Sequence, residues 1–119
     1  MVMTKYQILS RRIGAFAKTR DWAPFRTPKN TAMTLSVEAG ALVENFLWLT
    51  QEESVDLSPG KRLAVKDEMA DVFICLVRLA DQMGVDLYAA AESKIGDCER
   101  RFGAGKGRSG GRKHKECEA

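Results

Sequence analysis

The chain has 119 residues, of which 45% are hydrophobic, and a formal net charge of +3. This length fits a single domain with a modest core, and no apolar run approaches the roughly 20 residues of a membrane-spanning helix. Residues 103–119 hold five basic and two acidic residues, a difference of +3. The rest of the chain is therefore close to neutral, which argues against a broad nucleic-acid-binding surface.

The cysteine pattern and the N-terminus indicate a reduced, cytoplasmic protein. The first residues lack the apolar core of a signal peptide. The three cysteines are odd in number and have no CxxC spacing, which disfavours a disulfide framework or a structural zinc site. Cys75 lies in an apolar stretch and is predicted to be a small core residue.

Residues 4–20 are predicted to form the first helix. Thr4 is suited to be its N-cap. Gly14 weakens a helix by roughly 1 kcal/mol relative to Ala, which indicates a close helix contact at that position. The apolar residues recur at spacings of three and four, as one helix face requires: Tyr6, Leu9, Ile13 and Phe16.

Residues 21–30 are predicted to form a loop, because Pro24 and Pro28 both discourage helix. The loop places aromatic side chains beside cations, and two interpretations follow. The aromatic rings could stack on a nucleobase while the cations hold phosphates, or the rings could simply close the end of a helical bundle. The residues concerned are Trp22, Phe25, Arg20, Arg26 and Lys29.

The second helix is predicted from about Thr31 to Thr50, followed by a polar connection over residues 51–58. Glu38 and Glu44 flank its apolar stripe. The stripe consists of Leu35, Ala39, Leu42, Phe46 and Leu49.

The third helix is predicted from Pro59, with Ser58 as its N-cap, to about Met83, with Gly84 ending it. Between residues 69 and 80 the only charged side chains are Asp71 and Arg78. A helix that is apolar nearly all round is expected to be buried in a bundle.

Two carboxylates of this helix suggest a cation site. Glu68 and Asp71 are three residues apart and share a helix face, and oxygen ligands are those that Mg²⁺ prefers. If the second and third helices pack antiparallel, Glu38 can face this pair. Each carboxylate taken alone has an ordinary alternative: Glu68 could be solvated, Asp71 could pair with Arg78, and Glu38 with Lys29.

The fourth helix is predicted over Leu87–Phe102, with Asp86 as its N-cap and a position on the outside of the bundle. We therefore expect an all-α four-helix domain over residues 1–102 and a disordered basic tail over residues 103–119. The tail either keeps the protein in solution or makes a weak contact with nucleic acid or an acidic surface. Apolar residues in excess of one small core predict a homodimer or a dimer of dimers: Phe46, Leu47, Trp48, Phe73, Ile74 and Val77.

Several short motifs together resemble those of the MazG-like nucleotide pyrophosphohydrolases, and in particular their short, dCTP pyrophosphatase-like branch. The resemblance covers roughly residues 5–102. The motifs are Arg20-Asp21-Trp22, Thr27-Pro28-Lys29-Asn30, Val37-Glu38-Ala39-Gly40, Phe46-Leu47-Trp48, Glu68-Met69-Ala70-Asp71-Val72 and Ser93-Lys94-Ile95.

The resemblance implies an all-α enzyme that hydrolyses a nucleoside triphosphate to the monophosphate and pyrophosphate. It implies Mg²⁺ held by an ExxE and an ExxD motif, which Glu38, Glu68 and Asp71 match, with Lys94 adding electrostatic stabilisation in catalysis. By the same resemblance, Trp22 and Trp48 enclose the base. The positions near the phosphates, or supporting that pocket, are Lys29, Asn30, Lys94 and Arg101.

The chain departs from the family pattern at its metal motif. Ala41 stands where the second Glu of ExxE is expected, through either an engineered replacement or natural drift, and weaker metal binding is the expected result. Glu44 is an imperfect substitute, because six residues place it about 120° from Glu38 around the helix. The alternatives are a weak or inactive nucleotide-binding homologue, and a helical nucleic-acid-binding module that uses the tail. Further departures are Arg26 for a usual His, Cys98 for Asn and Phe102 for Tyr.

Overall fold

The computed structural model describes residues 2–20 and 27–102, and within these ranges it contains α-helices and no strand. This confirms the predicted all-α class. Contacts divide the chain into two units, residues 1–84 and 85–119, and each is described by itself. The helices are α1 (Lys5–Thr19), α2 (Pro28–Glu44), α3 (Gln51–Val55), α4 (Pro59–Met83) and α5 (Leu87–Arg101).

Local hydrogen bonds explain why the helices begin where the sequence predicts. The Thr4 hydroxyl accepts from the Gln7 N–H at 3.1 Å, and the Gln7 side chain accepts from the Thr4 N–H at 2.9 Å, which satisfies two otherwise orphaned donors. The Ser58 hydroxyl accepts from the Lys61 N–H at 3.3 Å. At the other end of α4, Gly84 adopts φ 66° and ψ 30°, the left-handed conformation that glycine tolerates best.

The predicted limits of the second helix were wrong at both ends. Pro28 occupies the first turn of α2, where a missing N–H costs nothing, and the Thr27 hydroxyl caps the helix by accepting from the Asn30 N–H at 3.3 Å. The helix ends at Glu44 rather than near Thr50. The connection predicted after it contains α3, which Thr50 begins by a reciprocal pair of hydrogen bonds with Glu53.

In the first unit, α4 packs against α2 and, less extensively, against α1. The Cys75 thiol donates to the Thr31 carbonyl at 3.4 Å, while Glu38, further along α2, lies beside Glu68, further back along α4. From the first of these contacts to the second, the residue number increases along α2 and decreases along α4. The two helices therefore run antiparallel. This is the arrangement that the convergence of carboxylates requires.

The first unit has a small core. Thr31 is 1% exposed, and the buried apolar residues are Ile13, Ala17, Val65, Cys75, Val77 and Ala80. The burial of Cys75 confirms its predicted role as a core residue.

Within the single chain, α4 leaves Met69, Phe73 and Ile74 more than 40% exposed, and the burial of Phe73 and Ile74 at a subunit interface stays a prediction. Two other expectations about packing were wrong. Val77, predicted on a subunit interface, is 1% exposed and belongs to the core of the single chain. A Cβ added at Gly14 would meet no described atom within 4 Å, so this glycine does not mark a close helix contact.

The second unit is described through α5, which begins at Asp86, whose carboxylate accepts from the Ala89 N–H at 3.0 Å. Arg100 forms an ion pair with Asp97 one turn earlier. No residue of α5 is buried. Among the described residues of both units, no helix combines the length and apolar character needed to cross a membrane.

Candidate metal centre

Three carboxylates meet where α2 crosses α4. Glu38, Glu68 and Asp71 each offer one oxygen, and these oxygens lie within 4.8 Å of one another. Glu38 and Glu68 are half-buried, whereas Asp71 is exposed. The cluster is thus backed by protein on one side and open to solvent at Asp71, which suits an ion that must also reach a substrate. The structure brings together the three residues that the sequence singled out, and their role as metal ligands stays a prediction.

The environment of Glu68 disfavours the negative charge of its carboxylate. Its Oε2 atom is buried and has no hydrogen-bond partner among the described residues. Burial, followed by the negative charges of Asp71 and Glu38, raises the pKa of the Glu68 carboxyl above its ordinary value of 4.5. Asp67 and Glu44 contribute in the same direction. A divalent cation would satisfy the orphaned oxygen and cancel the repulsion, so the donor set fits a hard ion such as Mg²⁺.

We expect Glu68→Gln to raise the melting temperature of the metal-free protein at neutral pH. Because the folded pKa is raised, the folded state holds more protons than the unfolded state above pH 4.5, and stability falls as the pH rises through this window. A neutral amide removes this penalty. Thermal denaturation in a chelating buffer from pH 4 to 8 measures the effect, which should disappear below pH 4.5.

The matched control is Glu92→Gln, which removes an exposed carboxylate of α5. It should leave the pH dependence of the melting temperature unchanged. Added Mg²⁺ should stabilise the wild type and have much less effect on the Glu68 variant, because a bound ligand stabilises only the state that binds it. A Glu68 variant less stable than the wild type at pH 8 would mean that the carboxylates do not repel one another as the geometry indicates.

The position of the missing carboxylate is close to the cluster. Ala41 is half-buried and follows Glu38 by three residues, so the two share one face of α2. Glu44 is exposed and falls outside the group of oxygens that converge within 4.8 Å, although its charge reaches Glu68. Among the residues that the structure describes, three carboxylates rather than four therefore converge at this point.

The other residues predicted to contact the substrate are exposed or lie outside the described residues, and their roles stay predictions. Lys29 and Asn30 lie in the first turn of α2, exposed. Trp48 is 88% exposed in the turn after α2. Lys94 and Arg101 are exposed on α5, which belongs to the second unit. Trp22, Phe25 and Arg26, like the tail, lie outside the described residues.

A cavity of about 300 Å³ adjoins the carboxylates and was not expected from the sequence. It is lined by residues of α1, α2 and α4, and it opens to solvent. Its polar lining includes Glu38, Asp71 and Arg78, and its apolar lining includes Ile13, Phe16 and Ile74. The spacing of seven residues between Asp71 and Arg78 indicates a shared face of α4. This spacing alone indicates no more than a possible ion pair between the two residues, because the contribution of α1 to the cavity cannot be inferred from it.

Comparisons with known proteins agree with the geometry. Residues 33–116 match the model of the MazG-like family. Human dCTP pyrophosphatase 1 is 42% identical over 109 residues, which cover 89% of this chain and 64% of the human protein. Bovine dCTP pyrophosphatase 1 is 40% identical over 95 residues, covering 77% of this chain and 56% of the bovine protein. The chain thus spans less than two thirds of the length of these curated relatives.

A solved structure supports the same assignment. A pyrophosphatase from Archaeoglobus fulgidus superimposes with a TM-score of 0.80 at 28% identity, covering 87% of this chain and 96% of that one. The family model alone matches well over half of the chain. The chain therefore belongs to the MazG-like family, and its similarity is to the dCTP pyrophosphatase members of that family.

Proposed function

We propose that this chain is a Mg²⁺-dependent nucleoside triphosphate pyrophosphohydrolase, which converts a triphosphate and water to the monophosphate and pyrophosphate. The observation that carries the proposal is the convergence of Glu38, Glu68 and Asp71, with one buried carboxylate oxygen that has no hydrogen-bond partner among the described residues. Such a group of acids is costly unless a cation is bound. In a member of the MazG-like family, a nucleotide phosphate chain is the natural ligand for that cation.

The names of the relatives support the class of substrate. Two mammalian relatives are named dCTP pyrophosphatase 1, and the archaeal structural neighbour is described as a pyrophosphatase. We therefore propose a nucleoside triphosphate as substrate and dCTP as the first one to assay.

The protein's own part in the mechanism follows from the placement of its side chains. Glu38 and Glu68, held by opposite helices and half-buried, would fix the ion from the protein side, while the exposed Asp71 lies where the substrate would enter. Bound Mg²⁺ would supply a Lewis acid that neutralises charge on the phosphates. Fixed carboxylates lower the reorganisation needed to hold the ion and the phosphate chain together.

The remaining predicted roles are part of the proposal through the family resemblance. Trp22 and Trp48 would enclose the base, and Lys94 would stabilise charge during the reaction. Positions near the phosphates, or supporting the pocket, would be Lys29, Asn30 and Arg101. The predicted domain over residues 1–102, the basic tail and the cytoplasmic location also stay predictions.

We also propose that the protein self-associates. Trp48 is 88% exposed and Leu47 57% exposed, and exposed apolar side chains on α4 lie beside the candidate metal centre. Large exposed apolar surfaces are typical of interaction sites. Sedimentation equilibrium tests the proposal: a homodimer or homotetramer supports it, and a monomer at micromolar concentration contradicts it.

Ala41 favours a second candidate, a homologue that binds nucleotide but hydrolyses it slowly or not at all. Three carboxylates offer fewer ligand oxygens than four, and the loss falls on the face of α2 that carries Glu38. This candidate predicts Mg²⁺-dependent binding of dCTP without release of pyrophosphate.

One experiment separates the two candidates. The wild-type chain is incubated with dCTP with and without Mg²⁺, the products are identified by ion-exchange chromatography, and binding is measured by calorimetry. We expect dCMP and pyrophosphate in equal amounts only when Mg²⁺ is present. Binding without products would select the second candidate, and the absence of both would contradict the proposed site.

A further inference from the structure

The cavity beside the carboxylates is lined by a cationic side chain, that of Arg78, to which the family resemblance assigns no role. Arg78 lines this cavity of about 300 Å³ together with Glu38 and Asp71. It lies seven residues after Asp71 on α4, which is nearly two full turns and about 10 Å along the helix axis. The two side chains therefore project from the same face of α4, with the cavity between α1, α2 and α4 in front of them.

Arg78 also lines a second groove, of about 480 Å³, between α1 and α4. Arg11 and Lys18 of α1 line this groove as well, and Asp81 is the one acidic residue among the described residues that line it. Arg78 thus lines both the cavity that contains the carboxylates and a groove whose lining is more basic. An elongated anion that is held by a metal ion at the carboxylates could extend toward Arg78 without meeting a further acidic group among the described residues that line the cavity.

The charges of the candidate metal centre suggest what Arg78 does. Three carboxylates and one divalent ion sum to −1, and a triphosphate adds several more negative charges. With Ala41 in place of a fourth carboxylate, the cluster has fewer oxygens for a second ion. A guanidinium is permanently charged, and its planar fork matches two phosphate oxygens.

We propose that Arg78 binds the phosphate chain of the nucleotide, on the side of the cavity away from the carboxylates, and supplies positive charge that one Mg²⁺ cannot. This inference rests on the proposed function, since it assumes that the triphosphate enters this cavity. The apolar wall formed by Ile13, Phe16 and Ile74 excludes part of the water around the guanidinium, which strengthens its attraction for phosphate.

A purely structural role for Arg78 makes different predictions. If Arg78 only holds Asp71 in position, its removal would weaken binding of Mg²⁺ alone. If it binds phosphate, its removal would weaken binding of the nucleotide and leave the affinity for Mg²⁺ alone unchanged or slightly higher, because one positive charge near the ion has gone. Binding of Mg²⁺ and binding of a phosphate chain must therefore be measured separately.

The test compares the wild type with Arg78→Met, which keeps an apolar side chain in the cavity, and with Arg78→Lys. The control is Arg62→Ala, which removes the same type of cation from the same helix about 24 Å away, in an exposed position. Calorimetry measures the affinity for Mg²⁺ alone, and then for a dCTP analogue with a methylene group between the α and β phosphates in excess Mg²⁺. Circular dichroism checks the helix content of each variant.

We expect Arg78→Met to weaken binding of the analogue about 10- to 100-fold, the range for losing charge-assisted hydrogen bonds, with Mg²⁺ affinity unchanged. Arg78→Lys should recover part of the loss, and Arg62→Ala should match the wild type. Analogue binding within twofold of wild type in Arg78→Met, or an equal loss for Mg²⁺ alone, would overturn the inference. If the Met variant does not fold, Arg78→Gln is held to the same expectations.

The design also separates this inference from the proposed function. A wild type that binds the analogue but releases no pyrophosphate from dCTP would contradict the activity, while the Arg78 comparison would still decide the binding role. A wild type that binds no analogue would contradict both.

Discussion

Replacing Asp71 with Asn is expected to lower kcat/KM for dCTP hydrolysis about 10³-fold. Asp71 is the exposed member of the carboxylate cluster, on the side from which substrate would approach. The substitution keeps the shape of the side chain but removes the charge that the cation requires. Loss of metal-dependent charge stabilisation is worth several kcal/mol, and about 4 kcal/mol corresponds to 10³ in rate. Pyrophosphate release at saturating Mg²⁺ measures the effect.

The control for this prediction is Asp67→Asn. Asp67 is an exposed carboxylate on the same helix, and it is outside the group of three whose oxygens converge. We expect less than a threefold change in its kcat/KM. If the two variants lose activity equally, general electrostatics rather than ligation accounts for the loss. If Asp71→Asn keeps wild-type activity, the cluster is not the site of the reaction.

Ala41→Glu is expected to tighten Mg²⁺ binding at least about 10-fold and to raise the turnover of dCTP by a similar factor. A Glu at this position would share the α2 face of Glu38 and add a fourth carboxylate to a site that has three. Each tenfold change in affinity corresponds to about 1.4 kcal/mol, which one further charged ligand can supply. Calorimetry with Mg²⁺ and a steady-state assay give the two quantities.

Val43→Glu is the matched control for the gain of a carboxylate. It adds the same charge to the same helix at a position that is 55% exposed and lies about 140° from Glu38 and about 160° from Ala41 around the helix. We expect little change in Mg²⁺ affinity, because exposed charges are screened by salt. Equal tightening in both variants would show a general charge effect. No tightening in Ala41→Glu would count against the site described here.

The helix ends that the sequence predicted well are those that local chemistry determines. Thr4, Ser58, Asp86 and Gly84 act through hydrogen bonds or backbone angles within one turn, so their effect can be inferred without knowing the fold. The start of α2 was missed for a related reason. Pro28 was interpreted as disfavouring helix, although with Thr27 before it as a cap it occupies the first turn.

Burial was harder to predict, because it depends on which neighbours a helix has. The apolar composition of α4 suggested a helix covered on all sides, but in a single chain Met69, Phe73 and Ile74 remain substantially exposed. Conversely, Val77 was assigned to an interface and lies in the core. Composition identifies the hydrophobic residues, whereas tertiary contacts determine which of them are buried within one subunit.

Part of the candidate site was predictable and part was not. The spacing of Glu68 and Asp71 indicates that they share a helix face, and an antiparallel partner helix can bring Glu38 to that face. The structure brings the three carboxylates together in this way. The cavity with Arg78 involves α1, and no periodicity in α4 indicates where α1 lies. Long-range packing of this kind is specified by many weak contacts and has no short motif.

The most direct test of the account is a crystal grown with Mn²⁺ and the non-hydrolysable dCTP analogue, since Mn²⁺ can be located by anomalous scattering and shares the oxygen preference of Mg²⁺. We expect an anomalous peak about 2.0–2.3 Å from oxygens of Glu38, Glu68 and Asp71, next to the phosphate chain of the analogue. A nucleotide bound elsewhere, or a fully bound nucleotide with no ion between α2 and α4, would contradict it.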